Sequence, residues 1–180
     1  MGEARPEIRT TWLAAGLDLL EESGPGRLTL EALTARVGLT KGSFYHHFRD
    51  RDGFVAALLQ HWEQEMTFKL IEQAERSRTT REKQRELTHQ TMAFHGSNVE
   101  LQLRAWAMNS PLVRASVERV DKARVDYLTR IAIGITGNKA RGRHLARISY
   151  AVFVGAQQTL PPISRETLLK LYEELDRLYV

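Results

Sequence analysis

Residues 29–51 read TLEALTARVGLTKGSFYHHFRDR, from Thr29 to Arg51, and this stretch decides the fold of the first third of the chain. Thr29 offers a hydroxyl cap to a short helix whose inward residues are Leu30, Leu33 and Val37. Gly38 suits the left-handed position that follows a helix end. Thr40 caps a two-turn helix over residues 41–48, and Asp50 caps the next helix, which starts near Arg51. Two short capped helices joined by Gly38-Leu39-Thr40 predict a helix-turn-helix, a motif whose second helix enters the major groove of DNA. Leu39, Phe44 and Phe48 fall on the side that packs back onto Leu33, Val37 and the preceding helix. Lys41, Gly42, Ser43, Tyr45 and His46 then face outward. One cation, one glycine, two hydroxyls and an imidazole make poor core and good duplex contacts. Gly42 permits close approach, while Thr40, Ser43 and Tyr45 can donate to phosphates or base edges.

The surroundings agree with that reading. Residues 27–51 hold five Lys/Arg against Glu31 and Asp50, a local positive excess. The first 53 residues as a whole are not basic, with seven Lys/Arg against eight Asp/Glu, so the formal charge of +4 by itself supports only weak affinity for polyanions. Upstream, Trp12, Leu13, Ala15, Leu19 and Leu20 recur at helical spacing from about Pro6 to Ser23, and Gly24-Pro25-Gly26 ends that helix. Downstream, Phe54, Val55, Leu58, Leu59, Trp62 and Met66 mark a fourth helix. Unbroken to Ala74, it would extend about 36 Å. Further helices are expected over residues 80–94, 97–107, 111–135, 139–160 and 165–178, with a break across residues 134–138. No alternation of period two suggests a strand, so the fold class is all-α with about nine helices. The expected division is 1–52 as the helix-turn-helix domain and 53–180 as a helical body.

Several function classes are excluded or disfavoured. A chain without cysteine has no disulfide, thiolate metal site or thiol nucleophile. No P-loop, dinucleotide glycine pattern, His-Glu-x-x-His or Gly-x-Ser-x-Gly occurs, so no enzyme, cofactor or metal is expected. Adjacent His46 and His47 point about 100° apart on a helix and do not chelate one ion. Residues 1–9 are too polar to read as a leader, and the apolar runs at 54–59 and 151–155 are too short to span a bilayer; a cytoplasmic location is expected.

The run from Gly38 to Asp52, GLTKGSFYHHFRDRD, resembles the signature of the tetracycline-repressor (TetR) family, and residues 12–24 are similar to that family's first helix. The resemblance covers the first third most specifically. It implies that Thr40, Lys41, Gly42, Ser43 and Tyr45 meet DNA, with Thr29, His46, His47 and Arg51 along the phosphate backbone. Thr34 departs from the alanine usual in the second helix, and Arg51 replaces the commoner lysine. The large residues of the body would ordinarily be core. The resemblance implies that part of the set Met66, Met92, His95, Leu103, Trp106, Tyr127, Tyr150 and Phe153 lines a cavity for an organic effector of moderate size.

A reader this small touches few base edges, whereas a two-fold dimer reads two half-sites. Leu145, Ile148, Val152, Leu168, Leu171, Tyr172 and Leu175 on the last two helices are the expected dimer seam. The expected partners are therefore a double-stranded DNA operator, a second copy of the chain and a small organic effector. The resulting reading is a homodimeric, effector-released repressor. An activator, or a DNA-binding module controlled by a protein partner, stays open at this point.

Overall fold

The computed structural model describes residues 7–179. Pro6, expected to open the first helix, lies outside the described residues. In chain order the helices are α1 (Ile8–Ser23), α2 (Leu30–Val37), α3 (Lys41–Phe48), α4 (Arg51–Glu63), α5 (Lys69–Glu75), α6 (Thr80–Ala93), α7 (Val99–Ala107), α8 (Pro111–Thr136), α9 (Lys139–Gln158) and α10 (Arg165–Arg177). A 3₁₀ turn, Pro25–Arg27, follows α1, and a π-helical turn, Gln64–Phe68, joins α4 to α5. Counting residues 51–75 as one helical run, the described residues hold nine helices and no strand, as the sequence predicts. No helix among them is long and apolar enough to cross a membrane.

The chain divides into two compact units, Met1–Gln64 with Asn98–Val117 and Glu65–Ser97 with Glu118–Val180. In the first unit, α1 buries Trp12, Leu13, Ala15, Leu19 and Leu20, the stripe read from the sequence. Thr29 caps α2 by accepting from the Ala32 N–H at 3.2 Å, and Gly38 closes that helix at φ 71°, where a side chain would be strained. On α4, Phe54, Leu58, Leu59 and Trp62 are almost completely buried. Helix α7 also packs in this unit: the Asn98 N–H donates to Glu21 at 3.1 Å, and Val99 and Leu103 are buried. Ser116, on the first part of α8, donates its hydroxyl to the buried carboxylate of Glu63 at 2.6 Å.

In the second unit the core gathers in clusters. Ala132, Leu145, Ala146 and Tyr179 form one, Ala74, Tyr127 and Ile131 another, and Met92, Ala156 and Leu168 a third. Capping chemistry sets the helix starts here too. Thr79 and Glu82 close a reciprocal capping box on α6, Asn138 accepts from the Ala140 and Arg141 N–H groups on α9, and Ser164 accepts from Thr167 on α10. The break expected across residues 134–138 is shorter than predicted. Gly134 is helical, α8 runs to Thr136, and Gly137 ends it at φ 65°.

Candidate nucleic-acid interface

Helix α3 is locked on one side. Phe44 lies edge-on to Trp12, with ring centroids 5.5 Å apart, and sits 5.3 Å from both Phe48 and Phe54. Phe48 in turn meets Phe54 edge-on at 5.1 Å. Aromatic contacts of this kind add about 0.5–1.5 kcal/mol each beyond the area they bury. They also leave the helix little freedom to rotate, so the residues between them must face away from the core.

The opposite side is exposed. Thr40, Lys41, Gly42, Tyr45 and His46 are solvent-facing, Tyr45 by half its surface, while Ser43 and His47 are half-buried. The Thr40 oxygen accepts from the Ser43 N–H at 3.2 Å, which caps α3 and leaves the hydroxyl proton to donate outward. Thr29, at the start of α2, and Arg51, at the start of α4, are also exposed. The α2, α3 and α4 N-termini thus belong to the same unit as the outward side of α3, with backbone N–H groups suited to phosphate. A Cβ built on Gly42 would meet only the Thr40 hydroxyl, at 3.7 Å. Nothing within the chain demands glycine there by space, which fits a role for its smallness toward an incoming surface. His46 and His47 meet edge-on at 5.1 Å, and the His47 ring lies 6.1 Å from Phe48.

The corner between α3 and α4 is built around one carbonyl. The Asp50 N–H donates to Phe48 O at 2.7 Å across Arg49, whose φ of 64° makes this a strained γ-turn. A Cβ on Gly53 would lie 2.2 Å from the same oxygen, so only glycine fits. Asp50 then caps α4 by accepting from the Gly53 N–H at 2.7 Å.

Local charge is more balanced than composition suggests. Arg36, one of the five cations of residues 27–51, donates to Glu22 on α1 at 2.9 Å and also lies near Asp18. Lys41 donates to Glu31 on α2 at 2.9 Å, with both side chains largely exposed. That hydrogen bond holds the Glu31 carboxyl below its ordinary value of 4.5 and the Lys41 ammonium above its ordinary 10.5. Composition counts Glu31 against the local cations, but no sequence pattern pairs it with Lys41, or Glu22 and Asp18 with Arg36. Arg9, whose guanidinium lies 5.7 Å from the Phe48 ring, was not singled out by the sequence. No spacing rule links residues ten or more positions apart, so only the fold could pair them.

Of the expected cavity residues, Leu103 and Trp106 lie on α7 in the first unit, Leu103 fully buried. In the second unit Met92 and Tyr127 are buried in two different clusters. His95 is half-buried just beyond α6. The Met66 carbonyl and the Phe153 ring meet at Arg124 of α8, and Tyr150 lies against Phe153. The Arg124 guanidinium donates to the Met66 carbonyl and the Thr67 hydroxyl at 3.0 Å each and lies 5.5 Å from the Phe153 ring. Tyr150 stacks on Phe153 at 6.0 Å and donates to Asp121 at 2.6 Å. Of the expected seam, Leu145, Leu168 and Leu175 are buried within their own unit. Val152 and Tyr172 pack against Met92, Ala156 and Leu168. Ile148 and Leu171 remain exposed, along with Leu169 and Leu178.

Residues 13–58 match the sequence profile described as bacterial regulatory proteins, tetR family. No curated protein matches the chain. Among solved structures, the fold is similar to that of the reduced form of NemR from E. coli, at 21% identity and a TM-score of 0.79, covering 96% of this chain and 97% of that one. It is similar to SCO4454, a TetR-family transcriptional regulator from Streptomyces coelicolor, at 18% identity and a TM-score of 0.74, covering 98% and 90%. A TetR transcriptional regulator from Legionella pneumophila matches at 12% identity and a TM-score of 0.78, covering 98% of each chain. At these identities the likeness is one of fold.

Proposed function

We propose that this TetR-family transcriptional regulator reads duplex DNA with α3 and acts as a homodimeric repressor released by a small organic effector. Residues 1–52 would read DNA and residues 53–180 would bind the effector and the second copy. One observation carries the DNA part. A two-turn helix is clamped by Phe44 and Phe48 on one side and offers Thr40, Lys41, Gly42, Tyr45 and His46 on the other. Lys41 has the chemistry to pair with guanine acceptors in the major groove, and Tyr45 and Thr40 the hydroxyls to reach phosphate. Thr29, Ser43, His46, His47 and Arg51 complete the proposed contact set.

A single eight-residue helix reads too few bases for useful selectivity. Two copies related by a two-fold axis read half-sites about 34–36 Å apart. Support for self-association through α9 and α10 comes from the exposed Ile148, Leu169, Leu171 and Leu178. For the effector, the cluster of Met66, Arg124, Tyr150 and Phe153 combines apolar surface with polar handles, the composition of a small-molecule site. An effector that converts an operator-competent dimer almost fully must discriminate between the two states by about 5.5 kcal/mol.

Selection of bound fragments from a pool of random duplexes tests the reading. Enrichment of sequences with two symmetric half-sites is the expected result. Enrichment of single, asymmetric sites would remove the dimer, and no enrichment at low salt would remove the DNA role.

A further inference from the structure

Glu31 is an acid in a place where a DNA reader gains from positive charge. It lies in the first turn of α2, and its carboxylate is 2.9 Å from the ammonium of Lys41, the first residue of α3. Both side chains are more than half exposed, at 72% and 59%, so neither is held by packing. Exposed pairs of this kind contribute little to folding. The bond therefore constrains where the Lys41 charge sits far more than it stabilises the domain.

We propose that Glu31 is a specificity-determining residue that withholds Lys41 from the phosphates of arbitrary sequence and, without letting go, directs its remaining ammonium protons to a base-edge acceptor at the operator. This inference rests on the reading of α3 as the DNA-contacting helix. A carboxylate beside a duplex repels phosphates of every sequence alike, so that part cancels from the ratio of specific to non-specific affinity. The part that acts through Lys41 does not cancel. In a non-specific encounter the ammonium gains one screened phosphate contact and loses one carboxylate contact of similar strength. At an operator the ammonium, with three protons to donate, keeps its contact with Glu31 and adds the O6 or N7 acceptor of a guanine, which discriminates among bases. On the wrong sequence the phosphate only replaces the carboxylate, a nearly neutral exchange, whereas on the right one the base contact is added without breaking the pair.

Fluorescence anisotropy of the full chain tests this. The probes are a duplex taken from the random-pool selection and a scrambled duplex of equal length, each titrated over a range of salt concentrations. Glu31→Gln keeps the shape and removes the charge. It should tighten the scrambled duplex about 3- to 10-fold and steepen its salt dependence by roughly one phosphate contact. The selected duplex should change by less than about threefold, so the specificity ratio falls. In a Lys41→Ala background the same Glu31→Gln change should shift both duplexes by one common factor. Equal shifts of both duplexes with Lys41 present would overturn the proposal, as would no shift or a weakened selected duplex. A wild-type chain that binds neither duplex would instead overturn the DNA-reading assignment on which the proposal rests.

Discussion

The two compact units bury their apolar residues in different ways. The first joins Trp12, Phe44, Phe48 and Phe54 into a connected set of rings that pins α3 in one orientation. The second distributes aliphatic, methionine and tyrosine side chains over separate clusters. A continuous aromatic lock suits an element that must present the same atoms to every operator. Separate clusters suit a body that can settle into more than one arrangement. The difference is one of packing, and substitutions can break it or sharpen it.

The largest effect is expected at the lock. Phe44→Ala removes the ring shared by four aromatic neighbours, Trp12, Tyr45, Phe48 and Phe54, and should cost about 3–5 kcal/mol, read by urea unfolding followed through tryptophan fluorescence. A cost under about 1 kcal/mol would show that the ring set does not fix α3. Next comes a pair of glycines only eleven positions apart. Gly53→Ala drives a methyl into the Phe48 carbonyl and should cost about 1–3 kcal/mol. Gly42→Ala meets open space, so stability should hold or rise by up to about 1 kcal/mol while operator affinity falls. If both variants lose stability equally, Gly42 is a packing residue and its exposed face has another purpose.

Smaller effects belong to the second unit. Burial, and then the nearby Glu75 carboxylate, push the Tyr127 phenol well above its ordinary value of 10.0. The Tyr127 hydroxyl faces the Glu75 carboxylate without closing a well-formed hydrogen bond, so Tyr127→Phe should change stability by no more than about 1 kcal/mol in thermal melts. A loss above that size would reveal a bridging water or a hidden partner. The smallest effect concerns Asp176, whose carboxyl is raised above its ordinary 3.8 by burial, against weaker pulls from Arg81, Gln84 and Arg85. The folded state then keeps this proton to higher pH than the unfolded chain. Its contribution is full below about pH 4 and is lost as pH rises through the folded value. Asp176→Asn keeps an acceptor for Gln84, so it should remove that pH dependence and raise stability at pH 7 by less than about 1 kcal/mol. An unchanged pH profile would mean that the site is effectively solvated.

Local chemistry made much of the first unit legible. Thr29, Thr40 and Asp50 each cap within three residues of themselves, and the helix starts fall where those residues place them. The outward set of α3 was legible because Phe44 and Phe48 are four residues apart on one face. What the sequence could not show is which elements meet. Periodicity reports that Leu103, Leu145 and Leu168 are buried but not against what. Leu103 therefore joins the α1 unit, and the two helix-face leucines turn inward within their own unit. The π turn at Gln64–Phe68 was equally hidden. Its Met66 carbonyl is satisfied by Arg124, 58 residues away, and no local pattern announces such a partner.

The claim on which the account depends is that the polar side of α3 reads DNA, and Lys41→Ala combined with Tyr45→Phe addresses it most directly. Both residues are exposed, so the double variant should fold as the wild type does by circular dichroism. Affinity for a selected operator should fall at least about tenfold, and by more than affinity for a scrambled duplex. An intact fold with undiminished operator affinity would contradict the assignment.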